Sequence, residues 1–118
     1  MVNICGLFWT DGVLAVMNKR KYYVYILAHK PYGAIYIGVT NDLAYRVLQH
    51  RSGKGSQHTT KYRIFDLVFW EDFQYVNDAI AFEKKLKKWD RPWKDDLIAK
   101  NNPEWQDLYE KFCGDWDN

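Results

Sequence analysis

Two apolar runs joined by a short turn-forming segment constrain the fold of this chain more than any other feature. Residues 22–27 and 34–40 are rich in aromatic and β-branched side chains, which favour β-strands. The segment between them, residues 28–33, contains Pro31 and Gly33, and both are typical of turns. The pattern therefore predicts an antiparallel β-hairpin.

Two tyrosines fall at informative positions in this hairpin. Because side chains alternate between the faces of a strand, Tyr25 shares a face with Tyr23, and Tyr36 shares a face with Gly38. The pattern does not give the register between the strands, so the closeness of Tyr25 and Tyr36 is an inference. A packing residue with its hydroxyl at the rim is the ordinary alternative for each tyrosine.

The next elements follow from composition and from a helix cap. Asn41 or Asp42 is a suitable N-cap for a helix that ends near Arg51. Residues 52–56 have the composition of a loop, and residues 67–73 form the most apolar strand of the chain.

Three further helices are expected after this strand. Residues 77–78 cap the first, which extends over residues 79–89 with a buried stripe. Pro92 permits a new helix, and Pro103 opens a last short helix that ends near Phe112. The fold class is α/β (α+β), with a small, mostly antiparallel three-stranded sheet flanked by helices.

The length of 118 residues is typical of one domain. We expect an N-terminal extension over residues 1–18, a folded domain over residues 19–113 and a frayed tail over residues 114–118. Met17 precedes a basic run and the first strand, so we hypothesise that it is the true start and that the extension is an appendage. Strong protection of residues 1–16 in limited proteolysis would contradict this hypothesis.

Charge is distributed unevenly along the chain. Residues 19–63 contain nine Lys and Arg but one acidic residue, Asp42, and they also contain all three His. Residues 64–118 contain eight Lys and Arg against thirteen Asp and Glu. A basic half suits a nucleic-acid partner, since clustered cations displace phosphate counterions. An ordinary solvated surface is the alternative.

The cysteines and the hydropathy point to a cytoplasmic protein without a membrane partner. Cys5 and Cys113 are isolated, and they form neither a zinc-binding spacing nor a disulfide framework. No apolar run approaches the ~20 residues that are needed to span a bilayer.

Five motifs in order resemble the GIY-YIG nuclease family, most of all its small single-domain bacterial members. They are Tyr-Val-Tyr at residues 23–25, Tyr-Ile-Gly at residues 36–38, Arg46, Glu83, and Asn102 before a proline. The resemblance covers nearly the whole chain. The pair Tyr-Val replaces the Gly-Ile that gives the family its name, a change that a strand tolerates.

The resemblance implies a metal-dependent endonuclease. Tyr25 would take the proton from the attacking water, and Tyr36 would position water or phosphate. Arg46 would stabilise the charged phosphoryl group, because its guanidinium stays ionised and grips phosphate at two points. His50 would assist proton transfer or hold the phosphate, and Glu83 would bind Mg²⁺ or Mn²⁺.

Each of these roles has a structural alternative. Glu83 could form an i,i+4 ion pair with Lys87. His50 could be a buried, hydrogen-bonded imidazole. Asn102, which the resemblance makes a catalytic candidate that binds phosphate or holds Glu83, could instead form a turn. Gly38 is expected to let the chain approach the following helix closely.

A basic, glycine-containing segment with an interleaved tyrosine, Tyr62, follows the first helix. We expect a flexible nucleic-acid-binding loop here, since cationic loops track single strands or junctions. A solvated loop without function is the alternative. Its basic residues are Lys54, His58, Lys61 and Arg63.

The predicted activity is the hydrolysis of phosphodiester bonds with low sequence specificity, directed by structure or by single strands. By resemblance DNA is a more probable substrate than RNA, with flaps or damaged DNA as candidates. A catalytically silent nucleic-acid-binding module of the same fold is the first alternative. A protein-interaction domain is the second.

Overall fold

The computed structural model describes residues 7–10, 13–16, 21–55 and 57–114. Its strands are β1 Leu7–Thr10, β2 Val13–Val16, β3 Tyr22–Ala28, β4 Ile35–Thr40 and β5 Asp66–Phe73. Its helices are α1 Leu43–Arg51, α2 Gln57–Tyr62, α3 Val76–Lys88, α4 Arg91–Asn101 and α5 Tyr109–Gly114.

The main sheet has three antiparallel strands in the order β4-β3-β5. The central strand β3 is buried on both faces. Tyr25 and Leu27 pack in one apolar cluster with residues of α1 and α5, whereas Val24 and Ile26 pack in the other with residues of α3 and α4. The predicted fold class is confirmed. Strand β4 lies at an edge of the sheet, and this edge carries the site described below.

Strands β1 and β2 form a separate antiparallel hairpin in which Thr10 is opposite Val13. The sequence carries a signal for it that the prediction of an appendage overlooks, since Asp-Gly between apolar runs is typical of two-residue hairpin turns. Met17, the proposed start, lies outside the described residues, as do residues 115–118 of the predicted tail.

Helix α1 follows the prediction closely. The carboxylate of Asp42 accepts a hydrogen bond from the backbone N–H of Tyr45 at 3.1 Å, which caps the first turn. Helix α2 corrects the prediction of a flexible basic loop, because His58 and Lys61 lie on a short helix. Its residue Thr59 is buried, and this inward contact holds the segment to the domain.

The C-terminal helices differ from the prediction at two starts. Helix α3 begins at Val76. Tyr75 occupies the N-cap position, and its side chain makes no capping hydrogen bond. The prediction of a cap at residues 77–78 is therefore wrong. Helix α4 begins at Arg91 with Pro92 in its first turn, as predicted. Helix α5 begins at Tyr109 and not at Pro103.

The connection between α4 and α5 is held by the side chain of Asn102, which is buried. Its Nδ2 donates to the carbonyl oxygens of Val68 at 3.2 Å and Gln106 at 2.8 Å. Its Oδ1 accepts from the backbone N–H of Gln106 at 3.0 Å. The amide is thus engaged by backbone groups. The expectation that it binds phosphate or holds Glu83 gives way to a structural role that ties this connection to β5.

Two further expectations concern the cysteines and the membrane. Cys113 is disulfide-bonded, a bond that the isolated positions of the two cysteines did not predict. Within the described part of the chain, no helix has the length and apolar character required to cross a bilayer.

Replacing Asn102 by Ala is expected to lower the free energy of unfolding by about 2–4 kcal/mol, because buried backbone groups lose their hydrogen-bond partners. Urea denaturation measures the change. Asn101→Ala is the matched control, since Asn101 is exposed at the end of α4. Equal stability of the two variants would contradict the structural role of Asn102.

Candidate active site

The centre of the candidate site is the ring of Tyr25, which lies across the edge strand. Tyr25 is directly opposite Gly38 in the register of β3 and β4. A Cβ atom added at Gly38 would lie 2.5 Å from the Tyr25 hydroxyl oxygen and 2.6 Å from its Cζ. The absence of a side chain at Gly38 therefore makes room for the phenol ring, a structural role that the expected approach of the following helix did not include.

Tyr25 belongs to a buried hydrogen-bonded chain. Its hydroxyl lies 3.1 Å from Nε2 of His50, and Nδ1 of His50 lies 2.9 Å from Oγ1 of Thr59. All three side chains are buried. Because both nitrogens of His50 have partners inside the protein, the imidazole is not available to hold a phosphate. Of its two predicted roles, proton transfer remains, together with the alternative of a structural imidazole.

Tyr36 lies beside this chain. It is opposite Leu27, two residues from the Tyr25–Gly38 pair, so the two tyrosines share a face of the hairpin as predicted. The centre of its ring is 6.2 Å from that of Tyr25 and 5.1 Å from that of His50. Tyr36 is half-buried, which leaves it between the buried relay and solvent.

The environment of Tyr25 favours the neutral phenol. Burial raises the pKa of Tyr25 well above its usual value of 10.0, and Tyr36 and Glu83 raise it further, whereas Arg46 lowers it. Burial is the largest of these effects, so Tyr25 carries its proton at neutral pH. Any role as a base thus requires that Tyr25 passes its own proton on. Nε2 of His50, 3.1 Å from the hydroxyl, can accept it when the imidazole carries its proton on Nδ1.

Arg46 and His50 lie four residues apart on α1 in different environments. Arg46 is exposed, and His50 is buried. Burial, and then the charge of Arg46, lower the pKa of His50 below its usual value of 6.5. The imidazole is therefore neutral at pH 7. Arg46 acts electrostatically on both Tyr25 and His50, and its exposed guanidinium remains accessible to a phosphate.

Glu83 approaches from α3, a helix that packs on β4 and β3. Its carboxylate acts electrostatically on Tyr25, and its side chain is only 12% exposed. Oε2 of Glu83 forms an ion pair with Nζ of Lys87 at 2.7 Å. The structural alternative of an i,i+4 pair is therefore observed, and it occurs within electrostatic range of the Tyr25 hydroxyl.

A metal ion at this site would depend on few protein ligands. Among the described residues, no three His, Cys, Asp or Glu side chains come together as ligands. Glu83 alone would supply the protein oxygen, with water and phosphate completing the shell. This arrangement fits Mg²⁺, which keeps several waters and is often bound through one or two carboxylates plus substrate phosphates.

The basic residues of the predicted nucleic-acid-binding segment lie on the surface of the protein. Lys54, His58, Lys61 and Arg63 are all exposed. The rings of His58 and Tyr62 are in contact in a tilted arrangement, with their centres 5.0 Å apart. Nζ of Lys61 lies 5.3 Å from the centre of the Tyr62 ring. Helix α2 thus presents aromatic and cationic groups outward and Thr59 inward.

Sequence reasoning missed Thr59 and Gly55. A Cβ atom at Gly55 would lie 2.3 Å from Nδ1 of His50, so this glycine leaves room for the imidazole. Neither residue carries a signal by periodicity, because a buried hydroxyl and a close backbone approach depend on tertiary packing. A Gly-containing segment directly after a helix with a candidate His was the available hint.

Comparison with known proteins decides the family. The model of the GIY-YIG catalytic domain matches residues 21–96. The chain belongs to the GIY-YIG family. The match contains the hairpin, α1 and α3, and therefore Tyr25, Tyr36, Arg46 and Glu83.

Relatives of this GIY-YIG chain are small bacterial proteins. A UPF0213 protein of Bacillus pumilus is 35% identical over 94 residues, which are 80% of this chain and 95% of the relative. A UPF0213 protein of Streptococcus pneumoniae is 33% identical over 82% of this chain and 95% of the relative. UPF0213 protein YazA of Bacillus subtilis is 32% identical over 80% of this chain and 95% of the relative. No solved structure matches the chain.

The buried, neutral state of His50 predicts a loss of stability in acid. Because its folded pKa is lower than its unfolded value, the unfolded chain binds more protons as the pH falls through about 6.5. The contribution of neutral His50 to the free energy of unfolding is fully present above that pH. Below it the free energy of unfolding decreases by at most about 1.4 kcal/mol per pH unit for this one group. Urea denaturation from pH 8 to pH 5 measures the slope.

His50→Gln is expected to be less stable than the wild type at pH 8 and to lose less stability on acidification. His58→Gln is the matched control, because His58 is exposed on α2. An acid slope of His50→Gln equal to that of the wild type would refute the assignment of this slope to His50.

Proposed function

We propose that this GIY-YIG protein is a metal-dependent endonuclease that hydrolyses phosphodiester bonds in DNA. One observation carries the proposal: the buried Tyr25–His50–Thr59 chain ends at a phenol that Arg46 and Glu83 both influence. A proton acceptor, a cation and a carboxylate around one hydroxyl are the parts that phosphodiester hydrolysis requires.

The proton path begins at the attacking water. As the water oxygen bonds to phosphorus, its proton moves to the hydroxyl oxygen of Tyr25, and the proton of Tyr25 moves to Nε2 of His50. The bond between phosphorus and the leaving oxygen breaks, the leaving oxygen takes up a proton from solvent, and His50 later releases its extra proton to solvent. This path requires the tautomer of His50 that carries its proton on Nδ1 and donates it to Oγ1 of Thr59, an arrangement compatible with their 2.9 Å contact.

Negative charge grows on the phosphoryl oxygens during this step. Arg46 offers a fixed cation for it, and Tyr36 is located to orient the water or the phosphate. Glu83 would hold Mg²⁺ or Mn²⁺, which when bound supplies Lewis-acid polarisation of the phosphate. Asn102 contacts neither the water nor the phosphate in this proposal, because its amide holds the connection from α4 to α5.

Tyr25→Phe and Glu83→Gln are each expected to reduce cleavage of an oligonucleotide in Mg²⁺ or Mn²⁺ by about 100-fold or more. Phenylalanine keeps the ring over Gly38 but lacks the hydroxyl that transfers the proton. The measurement is the rate of product formation on a denaturing gel, with a chelator expected to abolish it.

Tyr75→Phe and Glu71→Gln are the matched controls for these two variants, because both side chains are exposed and outside the site. Full activity of Tyr25→Phe and Glu83→Gln would mean that the cleavage arises elsewhere.

The surface of α2 supports single-stranded nucleic acid as the preferred substrate, with low sequence specificity. Tyr62 is 47% exposed and is flanked by His58 and Lys61, so it combines a stacking face with positive charge. Bases stack on exposed aromatic rings only when they are unpaired, and the interaction tolerates any base. Thr59 connects the same helix to His50, which puts this surface next to the proton path.

Tyr62→Ala is expected to weaken binding of a single-stranded oligonucleotide by about tenfold, since base stacking contributes about 1–3 kcal/mol per base. Binding of the corresponding duplex should change little. Fluorescence anisotropy with a labelled oligonucleotide measures both. Tyr75→Ala removes another exposed tyrosine and should bind like the wild type; equal losses in the two variants would contradict a specific role for Tyr62.

A further inference from the structure

The ion pair between Lys87 and Glu83 stands at the position where the proposed function requires a metal ion. Nζ of Lys87 lies 2.7 Å from Oε2 of Glu83. The side chain of Glu83 is 12% exposed, whereas that of Lys87 is 54% exposed. The carboxylate is thus fixed in the rim of the site, and its cationic partner approaches it from solvent.

The two cations have the same electrostatic function for Glu83. Leaving the largely buried carboxylate of Glu83 without a cationic partner is unfavourable. Either the ammonium of Lys87 or a divalent ion provides that partner. Both would bind the carboxylate of Glu83, and Lys87 already occupies its Oε2. The two occupants therefore compete.

We propose that Lys87 is a positioning residue that competes with divalent cations for Glu83 in the metal-free protein and thereby raises the concentration at which the ion enters. This inference rests on the proposed function, since it requires Glu83 to be the metal ligand. When the ion binds, the ammonium of Lys87 leaves Oε2 and returns to solvent, which its flexible, exposed stem permits.

The other lysines of α3 do not share this role. Lys85 lies over the ring of Trp89, with Nζ 5.8 Å from the ring centre. Lys84 is exposed and follows Glu83 directly in sequence, so it points to a different side of the helix. Lys84 is therefore the appropriate control for the general effect of removing a positive charge from this helix.

The test measures binding of Mn²⁺ alone to the full chain, from the electron paramagnetic resonance signal of the free ion, and does not depend on cleavage. Lys87→Met keeps an unbranched stem but has no ammonium. It is expected to bind Mn²⁺ about two- to fivefold more tightly than the wild type, the range that a weak exposed ion pair allows. Lys84→Met should change the affinity by less than half of this factor.

Glu83→Gln separates this inference from the proposed function. It should lose the binding, and the double variant Glu83→Gln/Lys87→Met should not regain it. Unchanged affinity in Lys87→Met, or an equal gain in Lys84→Met, overturns the role of Lys87 and leaves Glu83 as a ligand. Wild-type binding by Glu83→Gln overturns both the metal site of the proposed function and this inference.

Discussion

The close packing of the Tyr25 ring on Gly38 is the constraint on which the site depends. A phenol can cross the edge strand only where the opposite residue has no side chain, and the register of β3 and β4 supplies a glycine there. This crossing brings the hydroxyl to His50, which is itself accommodated by Gly55. Two glycines therefore define the volume in which the proton path lies.

Burial then determines the chemistry of that path. The same desolvation keeps Tyr25 protonated and His50 neutral, since each loses the solvation of its charged form. A preformed phenolate is thereby disfavoured, and a transfer through two neutral groups is favoured. Thr59 completes the path by fixing one nitrogen of the imidazole, which leaves the other to face Tyr25.

The charged groups of the site are more exposed to solvent than Tyr25 and His50. Arg46 and Lys87 are exposed, and Glu83 lies between the buried relay and solvent. Such an arrangement keeps Tyr25 and His50 buried and leaves Arg46 accessible to solvent. It also means that the carboxylate is compensated by a lysine wherever no divalent ion is present.

The sequence by itself determined the main hairpin, the start of α1 and of α4, and the identity of the family. Alternation gave the face of each tyrosine within its own strand, Asp42 marked the start of α1, and Pro92 marked the start of α4. Caps, breakers and periodicity act over a few residues, which makes them readable from sequence. The spacing of the family motifs had the same local character.

Only the tertiary structure decided the partners of those residues. The sequence did not reveal that Gly38 serves Tyr25, that Thr59 holds His50 or that Asn102 binds backbone atoms of β5 and its own loop. Contacts between residues that are distant in the chain depend on strand register and on helix packing, and neither is written in a local pattern.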